Sequence, residues 1–296
     1  MSSLHFTTEP APGFWVHDLD PFLVRFPAGW PLEGVRWYGL AYVAGFLVAH
    51  YLLCWYDRTR KFPLDADKRS WLMIALFAGV LIGGRLGYII GYELPRNPGA
   101  LLENPLMIFH VNKGGMASHG GMVGVWVALA VFACRFKVRF WALLDVVVSA
   151  TPPGFFFGRI ANFINGELWG RETSVPWAVV FRRVDAHGGE WFMQPRHPSQ
   201  LYAAVLEGVL PLVWLQWRFW RGRLPEGQLV GEAMAGYAIA RIFGELFREP
   251  DEGVGLVLGL SRGQFYSVFL ALAGVAVIIW ARWRWKRRTA AGADAF

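Results

Sequence analysis

Charge is what this chain has little of. Only 17% of its 296 residues are Asp, Glu, Lys or Arg, whereas 55% are hydrophobic and 16% aromatic. A soluble domain of this length needs more polar surface, so the composition is that of an integral membrane protein. Cysteine is scarcer still. Cys54 and Cys134, both inside apolar runs, offer no disulfide framework and no CxxC metal pattern. The seven histidines are scattered, without HExxH or any compact ligand cluster, so no metal and no cofactor is expected. Residues 1–30 lack a basic stretch followed by an apolar one, and no cleavable signal peptide is expected there. The net charge of +7 does not argue for nucleic acid, because the basic residues gather in short segments between apolar runs, where they set membrane orientation.

What the chain does have is long apolar runs. Seven are long enough to cross a bilayer, about 37–56, 71–92, 119–135, 141–158, 199–220, 227–247 and 262–285. Basic clusters (Arg58 to Arg69, Arg135 to Arg139, Arg218 to Arg223, Arg282 to Arg288) fall on one side of a seven-span arrangement, which the positive-inside rule makes cytoplasmic. Segment 171–198 carries Arg171, Arg182, Arg183 and Arg196 yet falls outside; four short basic loops outvote it. The fold class expected is therefore an all-α integral membrane protein of about seven transmembrane helices with a small extracytoplasmic head. Residues 1–36 read as an extracytoplasmic arm whose Phe14–Val16 and Phe22–Val24 clusters lie on the membrane. Residues 37–170 hold the first four spans, an outer loop at 93–118 and a polar motif at 158–170. Residues 171–198 form the head, with a β-hairpin of Trp177–Val184 and Glu190–Met193 around a turn containing His187. Spans five to seven occupy 199–285, and 286–296 is a cytoplasmic tail. Gly83, Gly84 and Gly87 suit close helix packing.

The polar residues are few, and the topology brings them to one side. Arg159 to Gly170 places an arginine, two asparagines (Asn162, Asn165) and Glu167 directly after an apolar run. Ionisable groups at a bilayer boundary are expensive and usually mark a function. Tyr38, Arg85, His119 and His197 reach the same outer end. So do Tyr237, Arg241 and Glu245, spaced i, i+4, i+8, with Arg248 three further on, and all four share one helix face. Guanidinium forks bind phosphate bidentately, so the pattern suits an oxyanion. His119-Gly120-Gly121 opens the third span, where unpaired N–H groups attract anions and glycines permit close approach. A structural ion pair is the competing reading for the quartet, and Glu207 and Glu232 read as structural partners of buried polar groups. A lipid flippase or transporter without covalent chemistry is the alternative function, but it calls for polar groups at the midplane and inverted repeats, and the sequence shows neither.

These residues resemble the bacterial prolipoprotein diacylglyceryl transferases. The similarity rests on Gly158-Arg-Ile-Ala-Asn-Phe-Ile-Asn-Gly-Glu-Leu-Trp-Gly170, supported by Arg36–Gly39, Gly84–Tyr88, His119–Gly121, His197–Tyr202 and the run from Arg241 through Glu245 to Asp251, and it covers roughly residues 34–285. The resemblance implies a multi-pass enzyme of the bacterial inner membrane with its site facing the periplasm. It would move the diacylglyceryl group of phosphatidylglycerol onto the lipobox cysteine of a prolipoprotein signal peptide, releasing glycerol phosphate, with membrane lipids and no nucleic acid as partners. Arg159 and Arg241 would hold the phosphate, Asn162 and Asn165 would position it, and Glu167 and Glu245 would orient the arginines. His119 would be the catalytic base or a headgroup ligand, and Tyr38 would be catalytic. Gly170, Arg85, Gly120, Gly121, His197, Tyr237 and Arg248 complete the expected substrate-binding set.

Overall fold

The computed structural model describes residues 6–27, 29–30, 32–59, 62, 64–109, 115–184, 189–250 and 257–291. His187 and Asp251 lie outside these. Four short strands come first: β1 (Phe6–Thr7), β2 (Trp15–His17), β3 (Phe22–Arg25) and β4 (Gly34–Arg36). Helix α1 (Trp37–Arg58) and α2 (Ala66–Tyr88) follow, the latter running through a π turn (Ile89–Glu93) into α3 (Leu94–Arg96). After α4 (Ala100–Glu103) and a 3-10 turn (Pro105–Phe109) come α5 (Ser118–Phe136), α6 (Phe140–Ala150) and α7 (Pro152–Ile164). Strands β5 (Val179–Val184) and β6 (Glu190–Met193) precede α8 (Ser199–Ala203), a second π turn (Ala204–Val209), α9 (Leu210–Trp220), α10 (Gln228–Gly244) and α11 (Arg262–Ala290). Among the described residues, five helical stretches are long and apolar enough to cross a membrane: Trp37–Arg58, Ala66–Arg96, His119–Phe136, Phe140–Ile164 and Arg262–Ala290. Helices also cover the other two expected spans, one from Ser199 to Trp220 through its π turn and the other 17 residues long. The chain folds as two compact units, one of His50–Val147 and one of Met1–Ala49 with Val148–Phe296.

In the first of these units, α2 and α5 approach along glycines. A Cβ on Gly87 would lie 2.5 Å from the Gly120 Cα, and one on Gly83 would lie 2.7 Å from the Gly124 Cα. The expected packing role of Gly83 and Gly87 holds. Backbones this close gain dispersion and lose no side-chain entropy, which is how helices associate in lipid without a hydrophobic driving force. Gly84 faces Met116, whose Cε a Cβ there would meet at 2.7 Å.

In the other unit, a four-stranded sheet of order β1-β6-β5-β2 carries the hairpin expected from the sequence. β5 and β6 pair antiparallel with Arg182 opposite Phe192, and β2 joins β5 in parallel with Val16 opposite Val180. Val179, Phe181 and Met193 form its buried face, against which Phe163 and Trp169 pack. Two expectations change here. The first aromatic cluster of the arm is a strand of this sheet: Trp15 stacks on Phe163 at 5.9 Å, and His17 lies 2.7 Å from the Phe163 carbonyl. The second forms the β3–β4 hairpin, where the Phe22 ring is covered by the Arg25 and Arg36 guanidiniums at 4.4 Å each. The arm's polar backbone finds its partners in strands, while Trp15, Leu23 and Val24 keep exposed apolar side chains. The other change concerns the polar motif, which does not follow the fourth span. α7 continues to Ile164, so Arg159 and Asn162 stand on its last turns. Nothing stops the helix before Asn165 and the left-handed Gly166 (φ 62°).

Candidate active site

A chain of alternating charges runs through the second unit. Arg159 on α7 donates from Nε and Nη2 to one carboxylate oxygen of Glu207, at 2.9 and 2.7 Å. The other oxygen of Glu207 faces Arg241 on α10 at 3.6 Å. Arg241 also pairs with Glu245 at 2.7 Å, and Glu245 reaches Arg248 at 3.5 Å. Ser261, the N-cap of α11, donates its hydroxyl to Glu245 at 2.7 Å. Glu207 and Glu245 are almost wholly buried, with side chains 1% and 6% exposed, whereas both arginines keep 18%. The carboxylates are thus sealed in and the guanidiniums retain an open edge.

Local structure explains how Glu207 gets there. It lies on the π turn between α8 and α9, a wider coil of the kind that recurs at functional sites. Its neighbour Gly208 lets the turn close on α7, since a Cβ there would lie 2.8 Å from the Phe156 Cα. Tyr237, one turn before Arg241, packs on Phe155 with ring centroids 5.2 Å apart.

Beside this chain, Tyr38, Asn162 and Glu167 form a compact cluster. Tyr38 donates its hydroxyl to Glu167 and is in turn approached by the Asn162 amide, which also donates to Glu167 at 2.8 Å. Gln200 donates to the Glu167 carbonyl at 2.6 Å, and Ser199 to that of Leu168 at 2.9 Å. These bonds hold a tight turn in which Leu168 is left-handed at φ 57°, a costly conformation for a branched side chain that its surroundings must impose. Asn165 caps α7, and its Oδ1 is buried with no hydrogen-bond partner among the described residues.

Gly170 and His197 lie where the motif meets the end of α10. The Gly170 amide donates to the His197 carbonyl at 3.0 Å, and Gly170 bridges to Arg248. A Cβ at 170 would sit 2.6 Å from the Phe247 carbonyl, so only glycine fits. The His197 Nδ1 is 3.2 Å from the Tyr202 hydroxyl, and its ring meets Phe247 edge-on at 5.3 Å; this burial lowers its pKa below the ordinary imidazole value. Arg196, 1% exposed, fastens the junction by donating to the Gly170 carbonyl at 3.0 Å and pairing with Glu249 and Glu172 at 3.2 and 3.1 Å.

The remaining candidates belong to the His50–Val147 unit. Arg85 is buried and donates to the Met107, Ile108 and Gly115 carbonyls, so it organises the loop before α5. Gly120 is occupied in the α2–α5 contact, and a Cβ on Gly121 would lie 3.6 Å from the Val80 carbonyl. Gly120 thus uses its missing side chain for helix packing, whereas at Gly121 a Cβ would make only an ordinary contact. His119 is exposed at the start of α5.

The family described as prolipoprotein diacylglyceryl transferase matches residues 28–280. The chain belongs to that family. A phosphatidylglycerol–prolipoprotein diacylglyceryl transferase of Rhizobium meliloti (strain 1021) is 45% identical over 90% of this chain and 93% of its own length. Proteins of the same name from Nitrosospira multiformis and Idiomarina loihiensis are 43% and 40% identical, over 89% and 92% of this chain and 86% and 97% of their own lengths.

Within this transferase-family fold, the carboxylate assignments differ from those expected. Glu245 does pair with Arg241 and Arg248, but Glu167 serves Tyr38 and Asn162, and Glu207 is the group that orients Arg159 and Arg241. Glu207 read as a structural partner because nothing around it in an apolar run marks a site. The available signal was the carboxylate itself, at mid-span, in a chain with two intramembrane arginines to match. Arg196 had a fainter one, as a basic residue on the side where basic residues are scarce. Glu232 takes the role expected of it, binding Arg218 at 2.7 Å.

Proposed function

We propose that this protein transfers the diacylglyceryl group of phosphatidylglycerol to the lipobox cysteine of prolipoproteins, with the Arg159–Glu207–Arg241–Glu245–Arg248 chain holding the phosphate that leaves. The observation that carries this is the pair of guanidiniums, Arg159 and Arg241, which one buried carboxylate, Glu207, holds side by side while each keeps a side chain 18% exposed. In a medium of low dielectric two adjacent guanidinium forks favour an anion, and the open edges of Arg159 and Arg241 are where it would sit. The substrate thiol, as thiolate, attacks the glycerol carbon that bears the phosphate. The S–C bond forms as the C–O bond breaks, and glycerol phosphate departs with the electron pair. Charge growing on its oxygens is what the two forks stabilise. Asn162 is held by Glu167 and Tyr38 beside the arginines, and the Asn165 amide, turned over, would present its NH2 to the phosphate. His119 is our candidate for the thiol proton, as an exposed imidazole opening α5.

The assay is direct. Full-length protein, phosphatidylglycerol and a lipobox peptide are incubated and the peptide is weighed. A diacylglyceryl mass gain on cysteine is expected, and a Cys54→Ala/Cys134→Ala variant should match the wild type because the acceptor brings its own thiol. Lipid movement between leaflets with no mass gain would make the protein a transporter. Loss of activity in a folded double variant would require an enzyme-bound thioether.

We further propose seven crossings in the bacterial inner membrane, with the sheet and the arginine chain on the periplasmic side. The argument is the clustering of basic residues in the loops at the opposite ends of the spans and in the tail. Glu190→Cys in a cysteine-free background should react with an impermeant maleimide in intact cells, and Arg287→Cys only after permeabilisation. The reverse pattern would invert the orientation.

A further inference from the structure

At the far end of α10 from Arg241, the fold makes a second cationic site. A cavity of about 610 Å³ opens there between the α9–α10 connection and the last turns of α11. Arg223, Arg282 and Lys286 line it together with Gln228, Trp285 and Thr289, and among the described residues no carboxylate lines it. The nearby acids are engaged elsewhere. Glu226 pairs with Arg284 at 2.9 Å, and Glu232 with Arg218 at 2.7 Å. Arg282 and Lys286 stand one turn apart on the same helix face. The Arg282 Nε lies 3.4 Å from Gln228 Oε1, and the Gln228 amide donates to Glu232 at 2.7 Å, so a buried glutamine ties the cavity wall to the helix behind it.

Helix length sets the depth of this cavity. α11 has 29 residues, and at about 1.5 Å per residue it is some 43 Å long against a hydrocarbon core of about 30 Å. Its final turns therefore stand at headgroup level. Trp280 and Trp283 there lie under the Arg284 and Arg287 guanidiniums at 4.7 and 4.0 Å, the amphipathic pairing expected at a membrane interface. A basic recess between helices at that depth has the chemistry of a phosphate-headgroup site.

We propose that this cavity binds the phosphate headgroup of an anionic phospholipid in the leaflet opposite the arginine–glutamate chain. Arg223, Arg282 and Lys286 would meet the phosphate, Thr289 would donate to it, and Trp285 would lie along the glycerol. The site does not depend on the transferase reading, because it lies at the other end of α10.

The test is native mass spectrometry of the full-length protein, with dioleoyl phosphatidic acid as the probe and phosphatidylcholine as the neutral comparison. Phosphatidylglycerol is avoided because it is the proposed substrate of the other site. Each basic side chain near an anionic headgroup is worth about fivefold in affinity, so Arg223→Gln/Arg282→Gln/Lys286→Gln should weaken retention of one phosphatidic acid on the order of a hundredfold. Lys286→Gln alone, an exposed change on a long helix, guards against misfolding of the triple variant and should give about fivefold. Phosphatidylcholine retention should not change in either variant. Equal phosphatidic acid retention by wild type and Lys286→Gln, with the triple variant also equal or unfolded, would overturn the proposal. So would inorganic phosphate that displaces the lipid at matching concentration, since the occupant would then be a soluble anion.

Discussion

Replacing either Arg159 or Arg241 by lysine should lower peptide lipidation by about 10²–10³-fold, the usual cost of removing one preorganised donor from a developing oxyanion. Charge alone does not account for the expected loss, because lysine keeps it. What lysine lacks is the planar fork. In Arg159 that fork already uses Nε and Nη2 on one oxygen of Glu207, so the guanidinium is aimed by two bonds at once and its remaining edge has a defined direction. A lysine ammonium at 159 would make one such bond and aim at nothing. Arg248→Lys should cost less, since its contact to Glu245 is the longer one at 3.5 Å. Turnover is to be measured at saturating phosphatidylglycerol with yield and helicity checked. Near-normal rates in both lysine variants would mean that a diffuse positive field suffices and that bidentate contacts are not used.

Glu207→Ala should be the most destabilising single change in this unit. Glu207 has a side chain 1% exposed and faces two guanidiniums that no longer have enough water to replace it. Breaking a buried pair by deleting one partner typically costs about 3–5 kcal/mol, because an uncompensated charge remains. Here Arg159 would lose its carboxylate, while Arg241 would keep Glu245 at 2.7 Å. The unfolding midpoint in detergent should fall well below that of the wild type, whereas Glu190→Ala, on an exposed pair at 3.1 Å, should leave it almost unchanged. Glu207→Asp carries the charge but is one methylene shorter, and it should recover part of the stability while losing the span between both arginines. A Glu207→Ala protein that melts like the wild type would show that the arginines are oriented by something else.

The membrane character of the chain, the start of its first span at Trp37 and the β5–β6 hairpin were legible because each follows from local composition or alternation. The i, i+4 relation of Arg241 and Glu245 was legible for the same reason, as helix geometry alone brings them together. Long-range pairings were not. No pattern in residues 14–17 says that they will add a parallel strand to β5, more than 160 residues away, because any extended apolar segment can pair with any exposed edge. The glycines at 120 and 121 were ambiguous in principle, since absence of a side chain serves an approaching phosphate and an approaching helix equally well.

By itself, then, the sequence determined which residues are expensive to place in a membrane, and so a set from which a site could be built, Arg159, Arg241, Glu245, Asn162, Glu167 and Tyr38 among it, with Glu207 read only as a structural partner. Burying charge costs free energy wherever the chain folds, so its presence is informative before any fold is known. The tertiary structure decided the pairing within that set. A π turn, which is a hydrogen-bond register and leaves no mark in composition, turns Glu207 onto both arginines, and a turn held by Gln200 and Ser199 sets Glu167 against Tyr38 and Asn162 instead. A carboxylate is indifferent between cations of equal charge until backbone geometry sets the distances, and distance is what a sequence does not contain.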